Sequence, residues 1–166
     1  MSAGISDVAS AVHASLRRRG ETVAVAESLT GGLLGAALSD EPGASQTFRG
    51  ALVVYATDLK ATLAGVPAEL LAAEGPVARS VAVALARGAR ERCLADWGVG
   101  VTGVAGPETS GGQPVGTVWV GVADGSAAPH AVAGHFRGGR ADVRAAAVGL
   151  ALRTLLDMLA AREAAP

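Results

Sequence analysis

Apolar residues recur along this chain with two alternating periods, and the alternation predicts its elements. Ile5, Val8, Ala9, Val12 and Leu16 fall at helical spacing, and Gly20 closes that helix. Thr22 to Ala26 is a short β-branched and alanine run, which predicts a strand. Ser28-Leu29-Thr30-Gly31-Gly32 follows at once, and then Leu33, Leu34, Ala37 and Leu38 at helical spacing to about Ser39. Phe48 to Tyr55 is continuously apolar around Ala51-Leu52-Val53-Val54, as expected of a strand covered on both faces. A short helix holds Lys60, Leu63 and Ala64, with Thr57 or Asp58 as its cap and Gly65 as its end. Pro67 opens another through Leu70 and Leu71, which Gly75-Pro76 breaks. Val77 to Ala95 is a long alanine-rich amphipathic helix, and Trp97 to Thr102 a buried-type strand.

The second half changes pattern. Residues 103–114 form a glycine-rich loop, long enough in a compact domain to suggest function. Gly116 to Ala123 and His130 to Phe136 read as two strands joined by a hairpin through Asp124-Gly125-Ser126. Arg137-Gly138-Gly139-Arg140 is a basic glycine turn before a last helix from about Ala141 to Ala161. The expected architecture is a three-layer α/β/α sandwich with a largely parallel sheet and an antiparallel edge hairpin. One domain spans residues 1–166, with no internal repeat or linker.

Composition narrows the function classes. Half the residues are hydrophobic and only 3% aromatic, so alanine and valine build the core. A net charge of −1 gives no electrostatic footprint for nucleic acid. No apolar run is long and uninterrupted enough to span a bilayer, and a cytoplasmic protein without membrane contact is expected. The single cysteine, Cys93, excludes an internal disulfide and reads as a small buried hydrophobe. His13, His130 and His135 are scattered, and neither a metal nor another cofactor is expected. Glycine spacing matches neither the P-loop nor the dinucleotide-binding fingerprint. The alanine-rich helix Val77–Ala95 offers a close-packing face, and a homo-oligomer is expected.

Three hydroxyl residues end three successive strands: Ser28, Tyr55 and Thr102. Ligands bind at the carboxyl ends of strands in open α/β sheets. A serine beside a helix N-terminus can be a nucleophile, a phosphate ligand or simply a helix cap. Lys60 is the only lysine, every other cation being arginine, which points to chemistry that arginine cannot perform. Its position near a helix N-terminus is expected to lower its pKa. Serine and lysine within hydrogen-bond reach can act as nucleophile and base, with backbone N–H groups from Leu29 to Gly32 as an oxyanion hole. The Gly103 loop and the Arg137–Arg140 turn suit phosphate or carboxylate recognition.

The run Ala26-Glu27-Ser28-Leu29-Thr30-Gly31-Gly32 resembles the Ala-Glu-Ser-Cys-Thr-Gly-Gly motif of the CinA C-terminal domain family, which includes the PncC-type nicotinamide-nucleotide amidohydrolases. The resemblance continues through Pro42-Gly43-Ala44-Ser45, Phe48-Arg49-Gly50, Tyr55-Ala56-Thr57-Asp58-Leu59-Lys60, Gly75-Pro76-Val77, residues 102–107 and residues 114–118. It implies hydrolysis of nicotinamide mononucleotide to nicotinic acid mononucleotide and ammonia, within pyridine nucleotide salvage. It assigns Ser28 as nucleophile, Lys60 as general base and Tyr55 as its hydrogen-bonding partner. Thr102 and Gly103 match a site segment, while Ser45 and Arg140 match nucleotide-contacting positions. Leu29 replaces the usual cysteine, and Gly139 stands where many members carry Asp. The resemblance does not include the molybdopterin-binding-like domain of longer members, and no activity on ADP-ribose is expected. The alternative is a catalytically silent nucleotide-binding or interaction module tied to competence or DNA-damage responses.

Overall fold

The computed structural model describes residues 3–126 and 130–164. Among the described residues five strands form one sheet: β1 (Val23–Glu27), β2 (Phe48–Val53), β3 (Trp97–Gly103), β4 (Thr117–Ala123) and β5 (His130–His135). They lie in the order β2-β1-β3-β4-β5. β1 runs parallel to both β2 and β3, whereas β4 is antiparallel to β3 and β5 to β4. The helices are α1 (Ala3–Arg19), α2 (Leu33–Ser39), α3 (Thr57–Thr62), α4 (Ala68–Glu74), α5 (Arg79–Arg92) and α6 (Arg140–Glu163). The α/β/α layering expected from the pattern is what forms.

Strand period assigns each face. Val23, Val25, Val99 and Val101 point into the core under α1, α2 and α6, together with Val118, Val120 and Val122. Ala24 and Ala26 point the other way, toward α5 and Val81, Leu85 and Ala89. On that face α5 lies unusually close to the sheet. A Cβ added at Gly98 or Gly100 would sit 1.9 Å from Ala86 O or 2.3 Å from Ala82 O. Glycine there lets helix backbone lie against strand backbone.

Three expectations change. β2 is an edge strand whose half-buried and exposed positions alternate, and Val53 is exposed; among the described residues no further strand covers its outer side. α5 starts at Arg79 and ends at Arg92, shorter than Val77–Ala95, because Pro76 and the extended Ala78 hold the approach out of helix. Cys93 is only half-buried, at the end of α5. In the hairpin, Ser126 N–H donates to Asp124 Oδ1, and the rest of the turn lies outside the described residues. Among the described residues no helix is long and apolar enough to cross a membrane.

The connections place the site. From β1 the chain passes through α2 to β2 on one side, and from β2 through α3, α4 and α5 to β3 on the other. The strand order therefore reverses between β1 and β3, and a crevice opens at their carboxyl ends.

Candidate active site

Ser28 stands just past β1, at that crevice, and its own N–H donates to Val101 O on β3 at 3.0 Å. Lys60 reaches it from α3. The lysine is 1% exposed, and its Nζ lies 3.0 Å from Ser28 Oγ, 3.0 Å from Val54 O and 3.3 Å from Tyr55 O. Burial pushes its pKa down to about 8, while the nearby Asp58 carboxylate opposes the shift. The expected contribution of a helix dipole does not apply, since α3 has six residues and Lys60 lies in its last turn.

The three neighbours suit both protonation states. A charged ammonium has three N–H donors for three oxygens. A neutral amine has two donors for the carbonyls of Val54 and Tyr55, and a lone pair left for the Ser28 hydroxyl. A proton can pass between Ser28 and Lys60 without any side chain moving.

Glu27 changes the picture of the turn after Ser28. This fully buried carboxylate accepts from Gly32 N–H at 3.0 Å, Leu34 N–H at 3.0 Å and Gly35 N–H at 2.8 Å. The N-terminus of α2 is thus already occupied by an anion from within the chain. Gly31 N–H donates to Ser28 O at 3.0 Å. Gly31 and Gly32 are therefore corrected as oxyanion donors: both amides are engaged. The N–H groups of Leu29 and Thr30 take part in none of these bonds.

Tyr55 is corrected too. It touches Lys60 through its carbonyl only; its side chain is 56% exposed and its hydroxyl accepts from Arg140. Arg140 also donates to Gly106 O at 2.7 Å, so it ties the end of α6 to two loops around the cleft. Gly139 caps α6 and its N–H donates to Asp142 Oδ2 at 2.8 Å, which orders the turn before Arg140 without the family aspartate. Ser28, Leu29, Tyr55, Lys60, Thr102, Gly103 and Arg140 line one cleft. Thr102 spends its hydroxyl on Pro76 O at 2.6 Å. Thr30 is corrected as a substrate-binding residue: it is fully buried and does not line the cleft.

Ser45 is not brought to this cleft. It lies in the short 3₁₀ turn Ala44–Gln46 before β2, at the amino end of the sheet. A strand length of about 17 Å separates the two ends, at roughly 3.3 Å per residue. Glu108 and Ser110 of the Gly103 loop do line the cleft, although the residue pattern singled out neither. Glu27 and Arg144 were also missed. An acid closing an otherwise apolar strand was a signal for the first. Arg144 falls one helical turn after Arg140, and donates to Leu29 O at 2.9 Å and Thr30 O at 2.8 Å. Among the described residues no three His, Cys, Asp or Glu side chains converge as metal ligands.

A family model described as the CinA C-terminal domain matches residues 5–159. The chain belongs to the CinA C-terminal domain family. A CinA-like protein of Synechocystis is 49% identical over 132 residues, covering 78% of this chain and 30% of its own length. A CinA-like protein of Gemmatimonas aurantiaca is 44% identical over 164 residues, covering 97% and 37%. The chain spans about a third of the length of the curated relatives it matches. Among solved structures, the competence/damage inducible protein CihA from Agrobacterium tumefaciens superposes with a TM-score of 0.91 at 32% identity, covering 95% of this chain and 97% of that one. A CinA superfamily protein from Klebsiella pneumoniae gives 0.90 at 29% identity, covering 94% and 98%.

Proposed function

We propose that this CinA domain is a serine–lysine amidohydrolase acting on nicotinamide mononucleotide. The observation that carries the reading is the buried Lys60 Nζ, 3.0 Å from Ser28 Oγ, with burial lowering its pKa to about 8. Neutral Lys60 takes the hydroxyl proton as Ser28 Oγ bonds to the carboxamide carbon. The oxyanion forms beside Leu29, the turn residue after Ser28 that lines the cleft, with its N–H group as the donor. The C–N bond then breaks; the departing nitrogen takes the proton from Lys60 and leaves as ammonia. Water attacks the acyl ester with Lys60 again as base, releasing the carboxylate and restoring Ser28. Tyr55 is left out of the proton path because its hydroxyl is bound to Arg140. Its exposed ring and the Arg140 guanidinium instead form the wall available to a nucleotide.

Ammonia release from nicotinamide mononucleotide by the purified protein, and its loss in Ser28→Ala, is the test. Loss of a covalent nucleophile should lower the rate about a thousandfold or more while the fold persists. Tight nucleotide binding with no turnover in the unaltered protein would assign the cleft to the binding-module alternative.

A further inference from the structure

We infer that Arg144 is a positioning residue that aims the oxyanion-binding Leu29 amide by holding the turn after Ser28. The inference rests on the reading of Ser28 as nucleophile. In a trans peptide the C=O and N–H point in opposite directions. Whatever binds a carbonyl therefore fixes where the following N–H points. Ser28 O is held by Gly31 N–H, which fixes the Leu29 amide. Leu29 O is held by Arg144 Nε at 2.9 Å, which fixes the Thr30 amide. The second Arg144 bond, to Thr30 O at 2.8 Å, fixes the Gly31 amide, the donor that holds Ser28 O and so aims the Leu29 N–H. Two parallel bonds from one planar guanidinium to successive carbonyls set both planes together, which a lysine cannot do.

The surroundings are built for this contact. An ideal Cβ at Gly31 would lie 3.2 Å from the Arg144 guanidinium, and Gly31 has φ +56°. A side chain at that position would press on the arginine and strain the turn. From the other side, Glu27 holds Gly32, Leu34 and Gly35. The turn is thus gripped by Glu27 on its N–H groups and by Arg144 on its carbonyls, and Leu29 is the residue of the turn after Ser28 that lines the cleft. Positive charge behind the two carbonyls also polarises those peptides in the sense an oxyanion needs.

The test compares Arg144→Lys and Arg144→Gln with the unaltered protein, in turnover of nicotinamide mononucleotide and in the rate at which a fluorophosphonate modifies Ser28. The second reaction forms a Ser28 O–P bond, expels fluoride and passes the serine proton to Lys60, so it needs the oxyanion donors but not the nucleotide. Both variants should lose kcat by about a hundredfold, the scale of one lost oxyanion donor. KM should stay within about threefold, and Ser28 labelling should slow by the same factor as kcat. The midpoint of the pH profile should not move, because Lys60 is untouched. Added guanidinium should restore part of the labelling rate in Arg144→Ala.

Labelling at the unaltered rate per folded molecule in Arg144→Gln overturns the inference. So does a loss of kcat that merely follows the fraction unfolded. Labelling of Ser28 in the unaltered protein without ammonia release from the nucleotide refutes the substrate reading and leaves Arg144 in its role. No labelling of Ser28 at all refutes both.

Discussion

Lys60 shows how one buried side chain can be both costly and useful. Its lowered pKa leaves more of it neutral at pH 7 than an exposed lysine would be, and most of it neutral above about pH 8. Activity should rise with pH through an apparent pKa near that value, shared by the Ser28–Lys60 unit. Lys60→Arg keeps charge but cannot deprotonate, and should be as inactive as Lys60→Ala in an ammonia assay across pH. Arginine preserving much of the rate would remove Lys60 as base. The same shift appears in stability. Because the folded state binds this proton less tightly than the unfolded chain, the cost of the buried charge is fully present below about pH 8 and is relieved between there and the ordinary lysine value of 10.5. The unfolding free energy of the unaltered protein minus that of Lys60→Met should therefore be flat below pH 8 and climb above it, measured by urea titration. Tyr55→Phe supplies a contrast: it removes only the bond to Arg140, so kcat should stay within about threefold while KM changes.

At the scale of elements, the alternation Gly98-Val99-Gly100-Val101 was legible as a strand, with valines facing one core. That α5 backbone would lie against the glycine side was not, because it depends on a helix packed from twelve or more residues away in sequence. Gly100→Ala would drive a methyl to 2.3 Å from Ala82 O. It should cost about 1–3 kcal/mol as an overpacked position, read from the denaturation midpoint at constant slope. Activity per folded molecule should fall as well, since the next residue, Val101, holds the Ser28 amide. An unchanged midpoint would mean that α5 shifts freely, contrary to its packing across the sheet. The edge position of β2 likewise escaped the pattern: an apolar run specifies a strand, but its neighbours decide how many faces are covered.

For the whole molecule, the reversal of strand order between β1 and β3 gathers residues from seven elements or loops around one cleft. A ligand there binds the folded chain only, and should stabilise all of it. At a hundredfold excess over Kd the gain is about 2.7 kcal/mol, or several degrees in melting temperature for a chain of this length. In Ser28→Ala, where no turnover intervenes, nicotinamide mononucleotide should raise the melting temperature more than nicotinamide riboside does. Arg140→Ala in that background should remove most of the difference. Equal shifts for the two ligands before and after the change would take the phosphate away from Arg140.

The sequence by itself determined the layered architecture and the hydroxyl residues at the strand ends, and offered Ser28 and the one lysine as candidate partners. Those follow from periodicity and residue type, which are local properties. Tertiary structure decided the rest. It put Ser45 at the far end of the sheet, turned the Tyr55 hydroxyl to Arg140, filled the α2 N-terminus with Glu27 and laid Arg144 across the carbonyls of Leu29 and Thr30. Each of those outcomes is a choice of partner between distant segments. Hydrogen-bond donors and acceptors carry no period, so only the packed fold could assign them.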